Sequence, residues 1–263
     1  MRFLCPSAPF QASRPDENYA AEHAAAIAAG WPVSLFSYEE FCAGQFHPSP
    51  ALSPRETVCY RGWMLTLKDY QRLWENIRQA GAVPLTSPEE YKLCHYLPSW
   101  YSLLADHTPK TLFFMETANV ETALRGKGWT GCFLKDYVKS LSTDGGSLVT
   151  ALERIPEVIR KMKKYRGMIE GGLCAREIED FIPATERRHF VFKGKAHSLS
   201  GEVPELVSLA AKVIKSPFFT VDTIQRQDGS TRIVELGDGQ VSDLKHWPPE
   251  SFLEIFSPSA RVP

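Results

Sequence analysis

The sequence predicts a small parallel α/β domain over residues 1–108, followed by an α+β region over residues 109–263. Three observations lead there. Strand and helix signals alternate through the first part of the chain. Several β-patterned segments follow in quick succession after residue 170. The 263 residues, 43% hydrophobic and 23% charged, suffice to bury a core in each part.

Taken in order, Arg2–Pro6 is a short apolar strand, and Asp16–Ala29 is an alanine-rich helix stopped by Gly30. Pro32–Phe36 and Thr57–Trp63 read as further strands, separated by a Pro- and Ser-rich loop around His47–Pro54. The apolar positions of Lys68–Gln79 recur at helical spacing up to Gly81. Pro84–Ala105 reads as one or two short helices, with Ser87-Pro88-Glu89-Glu90 as a start signal. The pattern changes near residues 106–112, where the boundary is placed. Gly131–Val138 then reads as a strand and Ser147–Tyr165 as a helix. The basic end of that helix (Arg160, Lys161, Lys163, Lys164, Arg166) complements the helix dipole. Leu173–Ile182, Arg188–Phe192, Phe218–Gln225 and Thr231–Leu236 are β-patterned, with the helix Pro204–Lys215 among them and an Asp228-Gly229 turn before the last.

Thirty Lys+Arg nearly cancel thirty-one Asp+Glu, which gives no global electrostatic footprint for nucleic acid or an anionic membrane. No apolar run approaches the roughly 20 residues that span a bilayer. The N-terminus lacks a signal-peptide core. Six cysteines without a C-x-x-C pair read as reduced thiols in a core. Together these features read as a cytoplasmic protein.

Gly126-Lys127-Gly128-Trp129-Thr130-Gly131 matches G-x-G-x-x-G literally. A dinucleotide fingerprint follows a strand and opens a helix, whereas these glycines precede a strand, so the segment reads as a loop. Walker A, H-E-x-x-H and G-x-S-x-G patterns do not occur.

Chemistry concentrates further on. Asp222 and Glu235 occupy apolar segments on either side of the Asp228-Gly229 turn. If they share a face, the pair is costly unless a cation binds between them or one protonates. Magnesium suits one or two carboxylates plus phosphate oxygens. A solvated hairpin with turn acids is the alternative. Lys135 and Lys139 stand at the end of an apolar strand, where an ammonium can meet phosphate. Arg188 lies in a strand followed by Lys193-Gly194-Lys195. The acid-rich segment Cys174–Ile182, with Glu177 and Glu179, is a candidate hinge that could hold a purine through its backbone and a ribose through an acid.

The order of these features resembles the ATP-grasp superfamily, in particular a small clade of bacterial and phage ATP-grasp proteins. It runs from a strand-end lysine through R-E-x-E-x-F-I and E-x-R-x-F-V-x-x-G-K to V-D and V-E-L-G-D-G. The N-terminal phrases Tyr60–Leu65, Glu90-Tyr91 and His95–Pro98 resemble that clade too. The resemblance implies an ATP-grasp fold of two α+β subdomains over 109–263. It implies that Lys135 and Lys139 bind phosphate, and that Glu177 or Glu179 holds the adenosine. The same resemblance implies that Arg188 contacts the γ-phosphate or an acyl-phosphate, and that Asp222 and Glu235 ligate Mg²⁺. Many ATP-grasp enzymes carry E-x-N at the last site. Here Glu235-Leu236-Gly237 is followed by Asp238, which either takes the asparagine's role or marks a different metal site.

The activity implied is ATP- and Mg²⁺-dependent ligation of a small-molecule or peptide carboxylate to an amine through an acyl-phosphate. Arg61, at an N-terminal strand end, is the candidate for an anionic substrate group, because its fork suits a carboxylate. The alternative is a non-catalytic ATP-binding assembly factor for a protein partner. Ser140–Ser147 is a candidate lid.

Overall fold

The structure, a computed structural model, describes residues 1–138, 140 and 146–257. Its contacts divide the chain into two compact units, neither of them one continuous stretch. The first takes residues 1–92, 188–221 and the chain from Gly237 onward; the second takes 93–187 and 222–236. This differs from the single boundary expected near 106–112. The reason lies in the aromatic residues of the late segments. Phe190, Phe218, Trp247 and Phe252 share a core with Phe3, Cys5 and Leu35 of the first strands.

In the first unit, parallel strands lie in the order Val33–Phe36, Arg2–Ala8, Thr57–Tyr60 and Val83–Pro84. Helix Ala20–Ala28 brings Ala25 and Ala26 against Phe3 and Val33, where only small side chains let the helix approach closely. Helix Leu67–Gln79 starts at Thr66, whose hydroxyl accepts from the Asp69 backbone N–H at 3.1 Å. It buries Tyr70, Leu73 and Ile77 on one stripe. The strand expected to reach Trp63 stops at Tyr60 because the chain folds back over its own ring. The Tyr60 hydroxyl donates to the Trp63 carbonyl at 2.9 Å, and a Cβ on Gly62 would collide with that hydroxyl. The polar strand Gln11–Pro15 and the helices Tyr38–Cys42 and Pro249–Glu254 complete what the sequence pattern did not reveal.

In the second unit, an antiparallel sheet runs in the order Thr111–Phe114, Leu173–Arg176, Cys132–Asp136 and Leu148–Val149. One face packs on helices Val120–Arg125 and Ile155–Arg166 through Leu124, Leu134, Val158, Met162 and Ala175. The helix expected from Ser147 begins at Ile155. Pro156 is preorganised for a first helical turn, and Leu148–Val149 pairs instead with Cys132 and Phe133. Leu173–Ile182 is a strand only to Arg176; the rest is irregular. The glycine run at 126–131 joins the end of a helix to a strand, as the loop reading requires. A Cβ on Gly131 would sit 2.6 Å from the Val149 carbonyl, so the glycine permits the close strand approach.

A further sheet follows the order Lys195–His197, Arg187–Phe192, Phe218–Gln225, Thr231–Asp238. Its last two strands each run from one unit into the other along the chain. Among the described residues no helix is long and apolar enough to cross a membrane.

Candidate nucleotide site

The alternation of strand Cys132–Asp136 builds the site. Cys132 and Leu134 enter the core, while Phe133 and Lys135 line a cleft of about 290 Å³ within the second unit. Phe133, Leu148, Ile178, Phe181, Ile224 and Val234 supply apolar walls; Lys135, Arg176, Glu177, Glu179, Glu186 and Glu235 supply charge.

Lys135 is only 4% exposed, and its Nζ donates to Glu235 Oε1 at 3.0 Å and to the Val138 carbonyl at 3.2 Å. The loop after it is fixed by Asp136. That buried carboxylate accepts from the backbone N–H groups of Val138 at 2.8 Å and Glu170 at 3.2 Å. Arg176 lies opposite Phe133 in the strand register and so faces the same side. Its guanidinium donates to the Val234 carbonyl at 2.5 Å and to Thr108 Oγ1 at 2.6 Å. Burial lowers its pKa to about 10, which leaves it charged at neutral pH. Its Nε is buried without a partner among the described residues. Neither Arg176 nor Asp136 was singled out from the sequence. The signal was available for Arg176, since an arginine inside an apolar strand must carry its charge to a polar cleft.

The two hinge acids are distinguished by their partners. Glu179 is held by Arg232, both oxygens at 3.0 Å, and by Arg226 at 3.4 Å. Arg232 also donates to the carbonyls of Asp106 and Thr108, which ties the hinge down. Glu177 is exposed and lines the cleft. Among the described residues its backbone N–H is engaged, with the Lys110 carbonyl at 2.8 Å.

Of the expected metal carboxylates, Glu235 lines the cleft with its side chain 43% exposed, and Asp222 is 1% exposed in the second unit. Among the described residues no three His, Cys, Asp or Glu side chains form a group able to hold a metal. Asp238 belongs to the first unit and is fully buried. Its Oδ1 accepts from the Gln240 backbone N–H and side-chain amide at 3.0 and 3.1 Å. Burial pushes its pKa up to about 7 against those hydrogen bonds.

Arg61 is likewise corrected. It is 1% exposed, and its Nε and second terminal nitrogen grip both oxygens of Glu22 at 2.8 and 2.9 Å. The remaining terminal nitrogen donates to the carbonyls of Gly239 and Ser242. A fork spent this way holds the first unit together and offers nothing to a substrate. Arg188 also lies in the first unit, where it donates to the carboxylate of Asp243 at 2.7 Å and to its carbonyl at 2.9 Å. Lys139 and residues 141–145 of the candidate lid Ser140–Ser147 lie outside the described residues.

The cleft fits a nucleotide on its own terms. Apolar walls suit a flat base, and the exposed carboxylate of Glu177 at the hinge can accept from hydroxyls. Lys135 and the unmatched Nε of Arg176 call for anionic oxygens. For Mg²⁺ the chemistry of the side chains fits, since Glu235 and Asp222 carry hard carboxylate oxygens in the second unit.

The family model described as ATP-grasp domain, R2K clade family 3, matches residues 66–255. Among solved structures, the chain is similar to the D-cycloserine synthetase DcsG (12% identity, TM-score 0.65). That match covers 97% of this chain and 98% of the other. A D-alanine–D-alanine ligase from Bacillus anthracis aligns with 12% identity and TM-score 0.62, over 97% and 91% of the chains. The ATP-grasp ligase PsnB, complexed with minimal precursor, Mg and ADP, aligns with 14% identity and TM-score 0.55, over 90% and 89%. These likenesses are of fold. No curated protein matches the sequence.

Proposed function

This chain belongs to the ATP-grasp domain family, R2K clade family 3, and from that premise we propose that it is an ATP- and Mg²⁺-dependent carboxylate–amine ligase. The observation that carries the reading is the cleft. Lys135, Arg176 and Glu235 line it together with the hinge acid Glu177 and a set of apolar walls. The fold shared with two ligases and a synthetase supports it.

In this reading the base lies between Phe133, Leu148, Ile178 and Ile224, and Glu177 accepts from the ribose hydroxyls. Glu179 holds the hinge through Arg232. Lys135 neutralises phosphate oxygens, and Glu235 and Asp222 hold Mg²⁺. Bound there, the metal would draw charge from the phosphate oxygens as a Lewis acid. A carboxylate oxygen of the substrate attacks the γ-phosphorus as the bond to ADP breaks, giving an acyl-phosphate. The amine nitrogen then attacks the acyl carbon, inorganic phosphate leaves, and the nitrogen loses a proton. Such transfer depends mainly on positioning and charge neutralisation. Arg188 and Lys139 keep the catalytic roles that the resemblance gives them. The substrates proposed are small-molecule or peptide acids and amines.

The test is phosphate release from Mg-ATP across a panel of carboxylates and amines. Asp222→Ala and Glu235→Ala should abolish it while the protein stays folded; undiminished turnover in either variant refutes the metal assignment. A second reading rests on Gly237, which stands where E-x-N enzymes carry asparagine. It makes the protein an ATP-binding assembly factor, and nucleotide binding without phosphate release in the presence of a stable protein complex would favour it.

A further inference from the structure

We infer that Tyr96 and Glu170 are positioning residues that set where the Lys135 ammonium stands, and so how firmly the protein holds phosphate. The inference rests on the proposed role of Lys135 toward phosphate. Its observation is a run of hydrogen bonds that starts in the phrase His95–Pro98, which takes no part in the chemistry described above, and ends on the lysine. Every link lies within the second unit.

The Tyr96 hydroxyl donates to Glu170 Oε1 at 2.5 Å. The backbone N–H of Glu170 donates to Asp136 Oδ2 at 3.2 Å, and the other oxygen of Asp136 accepts from the N–H of Val138 at 2.8 Å. The Val138 carbonyl in turn accepts from Lys135 Nζ at 3.2 Å. A second set of bonds runs beside the first. The Leu97 N–H donates to the Tyr137 carbonyl at 2.9 Å, and the Tyr137 N–H is shared between the carbonyls of Glu170 and Gly172 at 3.3 and 3.1 Å. Three stretches far apart in the sequence, 96–97, 136–138 and 170–172, are thus tied together directly after the lysine.

The link from Tyr96 to Glu170 matters because the chain around residue 170 has little stiffness of its own. Gly167, Gly171 and Gly172 all take positive φ, and glycine gives up the most backbone freedom when it is ordered. The Tyr96 hydroxyl pins that stretch from outside. The ring of Tyr96 is buried, and with the ring of Tyr137 it closes over Gly171, where a Cβ would collide. Loss of the hydroxyl alone therefore frees the Glu170 side chain while leaving the ring in place. The Glu170 N–H then holds Asp136 less firmly, and the Val138 carbonyl is no longer a fixed acceptor for the ammonium. A lysine free to move must be ordered when phosphate binds, and that ordering is taken from the affinity.

The experiment measures ATP binding by titration calorimetry in saturating Mg²⁺ and adenosine binding by ligand-observed NMR. Tyr96→Phe should bind ATP about fivefold more weakly than wild type, within the value of one hydrogen bond, and should bind adenosine unchanged. Glu170→Gln keeps an acceptor for the hydroxyl and should match wild type with both ligands; a loss of ATP affinity equal to that of Tyr96→Phe overturns the inference. Tyr96→Phe combined with Asp136→Asn should bind ATP no more weakly than the weaker single variant, because both changes act along one path, and full additivity overturns it. A merely structural role would lower the melting temperature and leave the ratio of ATP to adenosine affinity unchanged, which also overturns the inference while leaving the nucleotide site standing. Absence of ATP binding to wild type overturns the proposed function as well. Should Tyr96→Phe not fold, Glu170→Ala breaks the same link and carries the same expectations.

Discussion

Arg232 holds Glu179 with a two-pronged grip, both carboxylate oxygens at 3.0 Å, while Glu177, two residues earlier, presents its carboxylate to the cleft. Two acids that are equivalent in the sequence thus take different work. Glu177→Gln should weaken ATP binding by about tenfold, the value of one hydrogen bond to a charged group, with little change in melting temperature. Glu179→Gln should lower the melting temperature, because it strips the counter-ion from Arg232. Titration calorimetry beside thermal unfolding checks the split. Equal effects of the two variants on both readouts would dissolve it.

Arg61 is a structural residue by its bonds. Its pairing with Glu22 is buried on both sides, at 2% and 10% side-chain exposure. Arg61→Ala should destabilise the protein by about 3–5 kcal/mol in denaturant unfolding, because Glu22 is left buried and uncompensated. The double variant Arg61→Met, Glu22→Leu should be more stable than Arg61→Ala, since no charge is stranded. A fully stable Arg61→Ala would contradict the assignment.

Asp238 gives a pH signature. Its carboxyl is raised by burial from 3.8 to about 7, so between these values the folded state holds a proton that the unfolded state releases. Stability from this group is fully present below about pH 4 and is lost as pH rises through the folded value, by at most about 1.4 kcal/mol per pH unit. Asp238→Asn should flatten the decline between pH 4 and 7 in denaturant unfolding. A decline unchanged by the substitution would place its origin elsewhere.

Asp136 should act on ligand binding through Lys135, as a positioning residue. Asp136→Asn turns an acceptor of the Glu170 or Val138 N–H into a donor facing a donor. The KM for ATP should rise several-fold, with kcat falling less. An effect confined to melting temperature would make it merely structural.

The legible part of the fold was what local pattern writes. The strand-end lysine, the helix read as Lys68–Gln79 and the long final strands were all visible as periodicity or turn chemistry. What the pattern could not carry was nonlocal. Strand Thr111–Phe114 exists because Leu173–Arg176 pairs with it, and the late aromatic residues belong to the first core because Phe190 and Phe252 pack at 5.0 Å in company with Phe3. The site divided in the same way. Lys135, Glu177, Glu179 and Glu235 were named from the sequence and line one cleft, while Arg61 and Asp238 were named and proved buried. An arginine's residue type is visible in a sequence, but whether a glutamate 39 positions away already holds it is not.

The central claim, a nucleotide site built on Lys135, is tested most directly by calorimetric titration of ATP into wild type and Lys135→Ala, with and without Mg²⁺. The account predicts binding to wild type that strengthens with the metal and is lost in the variant. Absence of binding to wild type, or equal binding to both proteins, would contradict it.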